Sequence, residues 1–160
     1  MELYFLRHGI AADAAPDGGG DAARPLTEEG IEKMRAAAHG LRRLGVQLDA
    51  LLSSPLVRAH QTATIVAREL RLELRLADAL APGCDVERLL GLLAEQRGAE
   101  RVMVVGHEPD FSMLTGALTG GSRVALKKGG LARVDLDVLA EGTGTLVWLL
   151  PPRAMREAGR

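Results

Sequence analysis

Two kinds of apolar pattern alternate along the chain. Leu3-Tyr4-Phe5-Leu6 is a short continuous apolar run, the pattern of a strand covered on both faces. From Thr27 the period becomes helical: Ile31, Met34, Ala38, Leu41 and Leu44 recur at that spacing, with Glu32, Lys33, Arg35, Arg42 and Arg43 between them. Thr27 offers a side-chain oxygen to the first free amides, Glu28 and Glu29 suit the positive end of the helix, and Gly45 reads as its stop. Val46 to Leu52 reads as a second strand. Ser54-Pro55 then predicts a second helix, with Ser54 as cap and Pro55 at the first position, where a missing N–H costs nothing. Leu56, Ala59, Ala63, Val66 or Ala67, and Leu70 form its buried stripe.

The alternation continues to the C-terminus. Leu72 to Leu76 predicts a strand with one covered face, Val86 to Gln96 a helix, and Val102 to Val105 a buried strand ended by Gly106-His107. Pro109 to about Leu118 predicts another helix, broken by Thr119-Gly120-Gly121, and strands are predicted near Leu131–Leu136 and Thr145–Leu150. Ala11 to Ala23, rich in Ala, Gly and Asp, reads as a long mobile loop. The tail from about residue 152 is expected to fray. Strands alternating with helices predict an α/β fold, a three-layer α/β/α sandwich with a mostly parallel central sheet. The 160 residues suit a single domain, 1–160.

Composition narrows the class. Twenty Lys and Arg against 21 Asp and Glu leave a net charge of −1, so no global field draws the chain to DNA or an anionic membrane. Aromatic residues are too few for a nucleic-acid stacking platform. The single cysteine, Cys84, excludes an intrachain disulfide and reads as a structural thiol. No apolar run approaches the roughly 20 residues of a membrane span, and the first residues do not form a secretory signal. A cytoplasmic protein without nucleic-acid or membrane partners is expected.

Ligands of open α/β sheets bind beyond the carboxyl ends of the strands. Arg7-His8-Gly9 leaves the first strand, Arg58 lies in the first turn after the second, and Gly106-His107 leaves the strand at Val102–Val105. Two arginines, two histidines and two helix N-termini would make an anion site, with phosphate the leading candidate. Arginine holds phosphoryl oxygens in paired hydrogen bonds without deprotonating, and neutral imidazole is an available nucleophile. Gly9 would let backbone approach the anion. The other histidines, His39 and His60, read as helix-surface residues. Gly18-Gly19-Gly20 lacks the Lys-Ser/Thr ending of a P-loop, and Lys127-Lys128 reads as a hairpin edge. His107-Glu108-Pro109-Asp110 fits no standard metal-ligand spacing.

Arg7-His8-Gly9, the run from Ser54 to Ala63 (SPLVRAHQTA) and Gly106-His107 resemble the histidine phosphatase (phosphoglycerate mutase-like) superfamily. Arg24-Pro25-Leu26-Thr27-Glu28-Glu29-Gly30 and Val105-Gly106-His107-Glu108-Pro109 are similar to its small SixA-type phosphohistidine phosphatase branch. The resemblance implies that His8 attacks phosphorus and becomes a phosphohistidine, that Arg7 and Arg58 clamp the phosphoryl oxygens, that His107 stabilises the transferring group, and that Arg24 helps hold phosphate or substrate. It implies no metal and no cofactor.

Superfamily members that cleave alcohol phosphates carry a glutamate acid after the third strand; here only Asp78 lies near that place, with Glu108 as the other candidate donor. An alkoxide leaving group needs such an acid, worth roughly 10²–10⁴-fold, whereas a protonated phosphoimidazole departs neutral. The expected substrate is therefore a phosphohistidine-bearing protein, a phosphorelay or phosphotransfer domain, reaching His8 in a shallow, open pocket. A phosphomonoesterase of small phosphorylated metabolites and a non-catalytic phosphate or phosphoprotein sensor are the alternatives.

Overall fold

A computed structural model describes residues 1–160. Six strands and five helices alternate: β1 (Glu2–Arg7), α1 (Glu28–Arg43), β2 (Ala50–Ser53), α2 (Val57–Leu70), β3 (Leu74–Leu76), α3 (Val86–Ala94), β4 (Arg101–Gly106), α4 (Asp110–Leu118), β5 (Leu131–Leu136), β6 (Gly144–Leu150) and α5 (Pro152–Ala158). The strands form one sheet in the order β3-β2-β4-β1-β5-β6. The first four are mutually parallel, and β5 and β6 close the far side as an antiparallel pair. The expected α/β sandwich with a mostly parallel sheet is what the chain forms.

Alternation along the central strands divides the core into two layers. Leu3 and Phe5 of β1 and Val102 and Val104 of β4 face one layer with Leu89 and Leu93 of α3 and Phe111 and Leu114 of α4. Tyr4 and Leu6, with Met103 and Val105, face the other with Met34 and Leu41 of α1, Ala59 and Val66 of α2, and Met155 of α5. Burial on both faces is why these strands read as unbroken apolar runs. No helix is long and apolar enough to cross a membrane.

Three local expectations are corrected. The C-terminal segment does not fray: Pro152–Ala158 is helical, with Pro at the N-terminal turn, and Met155 is fully buried against α1. A Cβ on Gly40 would run into the Met155 carbonyl, so glycine is what allows this close helix approach. The second helix starts at Val57, not at Pro55, and Ser54 does not cap it in the expected way; its hydroxyl accepts from Leu56 N–H at 3.3 Å and is turned toward β4. The segment Ala11–Ala23 is anchored at both ends, while most of Asp13–Gly20 between them is exposed. Ala11 bridges to Leu26, Asp21–Ala23 forms a 3₁₀ turn, and Asp21 binds an arginine of α2.

Candidate active site

Parallel pairing of β1 with β4 sets Arg7 opposite Gly106, so the residues that follow, His8 and His107, emerge side by side at the carboxyl edge of the sheet. Their rings lie 5.4 Å apart between centroids, tilted by 53°. Strand β2 pairs with β4 on its other side, and Ser54 N–H continues that pairing to the Val105 carbonyl at 2.9 Å. This brings the start of α2 to the same edge, where Arg58 Nε lies 3.3 Å from His8 Nε2. His8, Arg58 and His107, remote in sequence, are 7%, 5% and 3% exposed.

The hydrogen bonds determine the state of the His8 ring. Its Nδ1 is 2.7 Å from the Gly9 carbonyl oxygen, which only accepts, so Nδ1 carries the hydrogen. Nε2 is therefore bare, and Arg58 Nε–H donates to it. Burial pushes the His8 pKa down to about 3; the Gly9 carbonyl works against this, while His107, Arg58 and Arg7 add to it. His107 is pushed down to about 4, again by burial first and then by Arg58, with Asp21 opposing and Arg7 adding a little. Both rings are neutral at pH 7.

The outward face of the Gly9 backbone is not free to meet an anion. Its N–H donates to Thr62 Oγ1 at 3.0 Å, and a Cβ there would lie 2.7 Å from Met34 Cγ, so glycine serves the packing of β1 against α1. Thr62, one turn after Arg58, also donates to the Arg58 carbonyl at 2.8 Å and so locks α2 to the His8 segment. Gln61 accepts from Leu26 N–H at 2.7 Å and anchors the other end of the loop. Gly106 has a parallel reason: a Cβ would sit 2.6 Å from Phe111 Cζ, blocking the turn of α4 under β4.

Arg7 points its Nη1 at the Leu126 carbonyl at 2.7 Å and leaves Nε buried without a partner. Burial lowers its pKa, with Glu108 opposing. Arg24 does not touch the histidines through any hydrogen bond; its bonds go to Asp21 and the Ala12 carbonyl. It joins the cluster through Asp21, whose carboxylate is shared with Arg58. The hydrogen bonds from Arg24 and then Arg58 hold the Asp21 pKa below the ordinary carboxylate range. The crevice is thus less open than expected, because an exposed acidic residue of the loop reaches in and binds the same guanidinium that faces His8.

Three further residues join the cluster beyond those that the sequence points to: Asp21, Ser54 and Thr62. Ser54 and Thr62 stand inside the SPLVRAHQTA run, where the signal was present; Asp21 stands in a low-complexity loop, where none was. Ser54 Oγ is 2.7 Å from His107 Nε2. Glu108 accepts from Ser112 N–H at 3.0 Å and from Ser112 Oγ at 2.6 Å, so it stabilises the first turn of α4. Asp78 lies exposed on the turn after β3, with no hydrogen bond to the histidines or arginines. The Lys127–Gly130 turn precedes β5 and is sewn to the site by Gly129 N–H, 2.9 Å from the His8 carbonyl. Cys84 is buried, which pushes its thiol up to about 11, as befits a structural residue. No three His, Cys, Asp or Glu side chains converge as a metal-ligand set.

Residues 3–82 match the histidine phosphatase superfamily (branch 1). Over 163 aligned residues the chain is 31% identical to phosphohistidine phosphatase SixA of Escherichia coli K12, covering 99% of this chain and 98% of that protein. An uncharacterized protein of Picosynechococcus is 39% identical over 137 residues, 82% of each chain. Among solved structures, protein histidine phosphatase SixA in complex with tungstate superimposes with a TM-score of 0.85 at 31% identity, covering 96% of this chain and 98% of that one. A SixA-like protein of Agrobacterium tumefaciens follows at a TM-score of 0.79 and 29% identity, covering 94% of this chain and 97% of that one. With a matching family signature, a full-length relative and the same fold, the chain belongs to the histidine phosphatase superfamily.

Proposed function

We propose that this protein is a phosphatase that passes the phosphoryl group through His8 and takes it from a phosphorylated histidine of another protein, such as a phosphorelay or phosphotransfer domain. The observation that carries this reading is the fixed His8 ring, with Nδ1–H tied to the Gly9 carbonyl and a bare Nε2 facing Arg58. In the first step the Nε2 lone pair attacks phosphorus. The substrate N–P bond breaks, and its electron pair leaves with an imidazole that already carries a proton on its other nitrogen and so departs neutral. His8 now bears phosphorus on Nε2 and keeps its Nδ1 hydrogen, which makes it a good leaving group in turn. Water attacks, the electron pair returns to Nε2, and the water protons leave with inorganic phosphate and solvent.

Arg58 and Arg7 hold the equatorial oxygens in this scheme, His107 hydrogen-bonds one of them, and Arg24 binds at the rim once Asp21 yields. The arginines provide the positive charge, so the scheme includes no metal and no cofactor. Two observations support a phosphoramidate over an alcohol phosphate. Glu108 is engaged by Ser112 and Asp78 faces solvent, so neither is poised to protonate an alkoxide. The full-length likeness to a protein named as a phosphohistidine phosphatase points the same way.

Labelled phosphate from a phosphohistidine protein should be trapped on His8 by rapid acid-free quenching. His8→Ala should lose both the label and turnover, by on the order of 10³-fold or more. Faster release from sugar phosphates than from protein phosphohistidine would make the protein a metabolite phosphomonoesterase. Phosphate binding without turnover would make it a sensor.

A further inference from the structure

Ser54 and His107 are both buried, and one hydrogen between them remains to be placed. Their contact is 2.7 Å between Oγ and Nε2. A serine hydroxyl has one hydrogen and two lone pairs; a neutral imidazole has one hydrogen, on one nitrogen or the other. Suppose Nε2–H donates to Oγ. The hydroxyl then accepts twice, because Leu56 N–H also donates to it at 3.3 Å, and its own hydrogen finds no acceptor. His107 Nδ1 would at the same time be a bare buried acceptor without a donor. Two buried groups go unmet.

The opposite placement removes one of these defects and gives the other a use. Ser54 Oγ–H donates to Nε2, Leu56 N–H keeps its lone pair, and the imidazole hydrogen sits on Nδ1. Only Nδ1–H is then unpartnered, on a ring whose centroid lies 5.4 Å from that of His8. Buried polar groups are almost always paired, so the arrangement that leaves one unmet donor and no unmet acceptor is the better account.

We infer that Ser54 is a positioning residue that holds His107 as the Nδ1–H tautomer and thereby makes Nδ1 a fixed hydrogen-bond donor to the transferring phosphoryl group. The second half of this statement rests on the phosphatase reading above; the first does not. Which nitrogen of a histidine holds the proton is set by the bond its other nitrogen makes. The two site histidines then carry hydrogen on the same atom for opposite purposes. The Gly9 carbonyl holds it on His8 Nδ1 so that Nε2 is bare, and Ser54 holds it on His107 Nδ1 so that Nδ1 can donate. Because burial keeps His107 neutral at pH 7, the tautomer and not the charge decides what it offers.

Nitrogen-15 spectra of the whole protein labelled at histidine test this near pH 7, with the resonances assigned by a His107→Asn variant. A protonated Nδ1 and a bare Nε2 at His107 are expected in the unsubstituted protein; protonated Nε2 overturns the inference without touching the phosphatase reading. Ser54→Ala should move hydrogen from Nδ1 to Nε2 and lower kcat by on the order of 10-fold, with a smaller change in KM. Ser54→Thr, which keeps the hydroxyl, should keep the Nδ1–H signature. A folded Ser54→Ala variant with the original signature and kcat would show that Ser54 positions nothing. Full turnover in His107→Ala would instead remove His107 from the phosphatase scheme while leaving its tautomer as measured.

Discussion

Asp21 places a carboxylate oxygen 3.0 Å from Arg58 Nη2 and its own carbonyl oxygen 2.8 Å from Arg58 Nη1. With Nε on His8, three of the five N–H groups of that guanidinium are already engaged, two of them by one loop residue. In the proposed scheme the carboxylate occupies a place meant for a phosphoryl oxygen. Asp21→Asn removes its charge while the carbonyl contact can persist. Vanadate or inorganic phosphate should then inhibit more strongly, by roughly two- to fivefold for so exposed an ion pair. The gain should shrink as salt rises, and an inhibition constant that does not move would show that Asp21 does not compete with the anion.

Neutral histidines give the reaction an acid limit well below the ordinary one. His8 is protonated only near pH 3 and His107 near pH 4, so neither of them causes a loss of kcat/KM as pH falls from 8 to about 5. A loss on lowering the pH, centred on the unperturbed value of about 6.5, would mean that His8 is solvated in the working enzyme.

The same shifts bear on stability. Unfolded histidines take up protons near pH 6.5, whereas the folded ones resist until about 3 and 4. In that window the unfolded chain binds more protons, so stability falls as pH drops below about 6.5 and the loss levels off only below the folded values. Urea midpoints at pH 7, 5.5 and 4.5 should decline in that order. A double His8→Asn, His107→Asn variant should show a shallower decline.

Glu108 holds Ser112 and the start of α4, and the proposed chemistry asks no proton of it. Glu108→Gln should change turnover of a phosphohistidine protein by less than about threefold, against the roughly 10²–10⁴-fold loss that follows removal of a general acid. Steady-state kcat on that substrate separates the two outcomes.

Met155 is fully buried against α1, on the layer of the sheet that carries α2. Met155→Ala should cost about 2–5 kcal/mol in urea unfolding, the usual price of a core truncation. Its kcat should fall far less than its stability, since Met155 packs against α1 and makes no side-chain hydrogen bond to His8, Arg7, Arg58 or His107. An unaltered urea midpoint would show that the last helix contributes little to the fold.

Much of the architecture was legible because burial writes itself into residue patterns. Strand β1 is an unbroken apolar run because β4 and β5 flank it and helices cover both faces. Helix α1 shows its stripe, its Thr27 cap (Gly30 N–H to Oγ1 at 2.9 Å) and its acidic first turn within a single stretch of chain. Patterns failed where distant partners decide local structure. Residues Pro152–Ala158 look polar and short enough to fray, and become a helix because Met155 finds the groove on α1 beside Gly40. Ser54 looks like a helix cap, and becomes a partner of His107 because β2 and β4 lie side by side.

The cradle divides along the same line. Its chemical kinds, two histidines and two arginines at the carboxyl ends of strands, were readable from the chain, since strand ends and helix starts are local features. Their protonation and their partners were not. Nothing local says that His107 is neutral, that Arg58 donates to His8 Nε2, or that a loop aspartate sits on Arg58; these follow from desolvation and from hydrogen bonds across 50 residues between His8 and Arg58 and 37 between Asp21 and Arg58. Periodicity records which side chains leave water, whereas electrostatics depends on which charges and lone pairs they meet once they have left it.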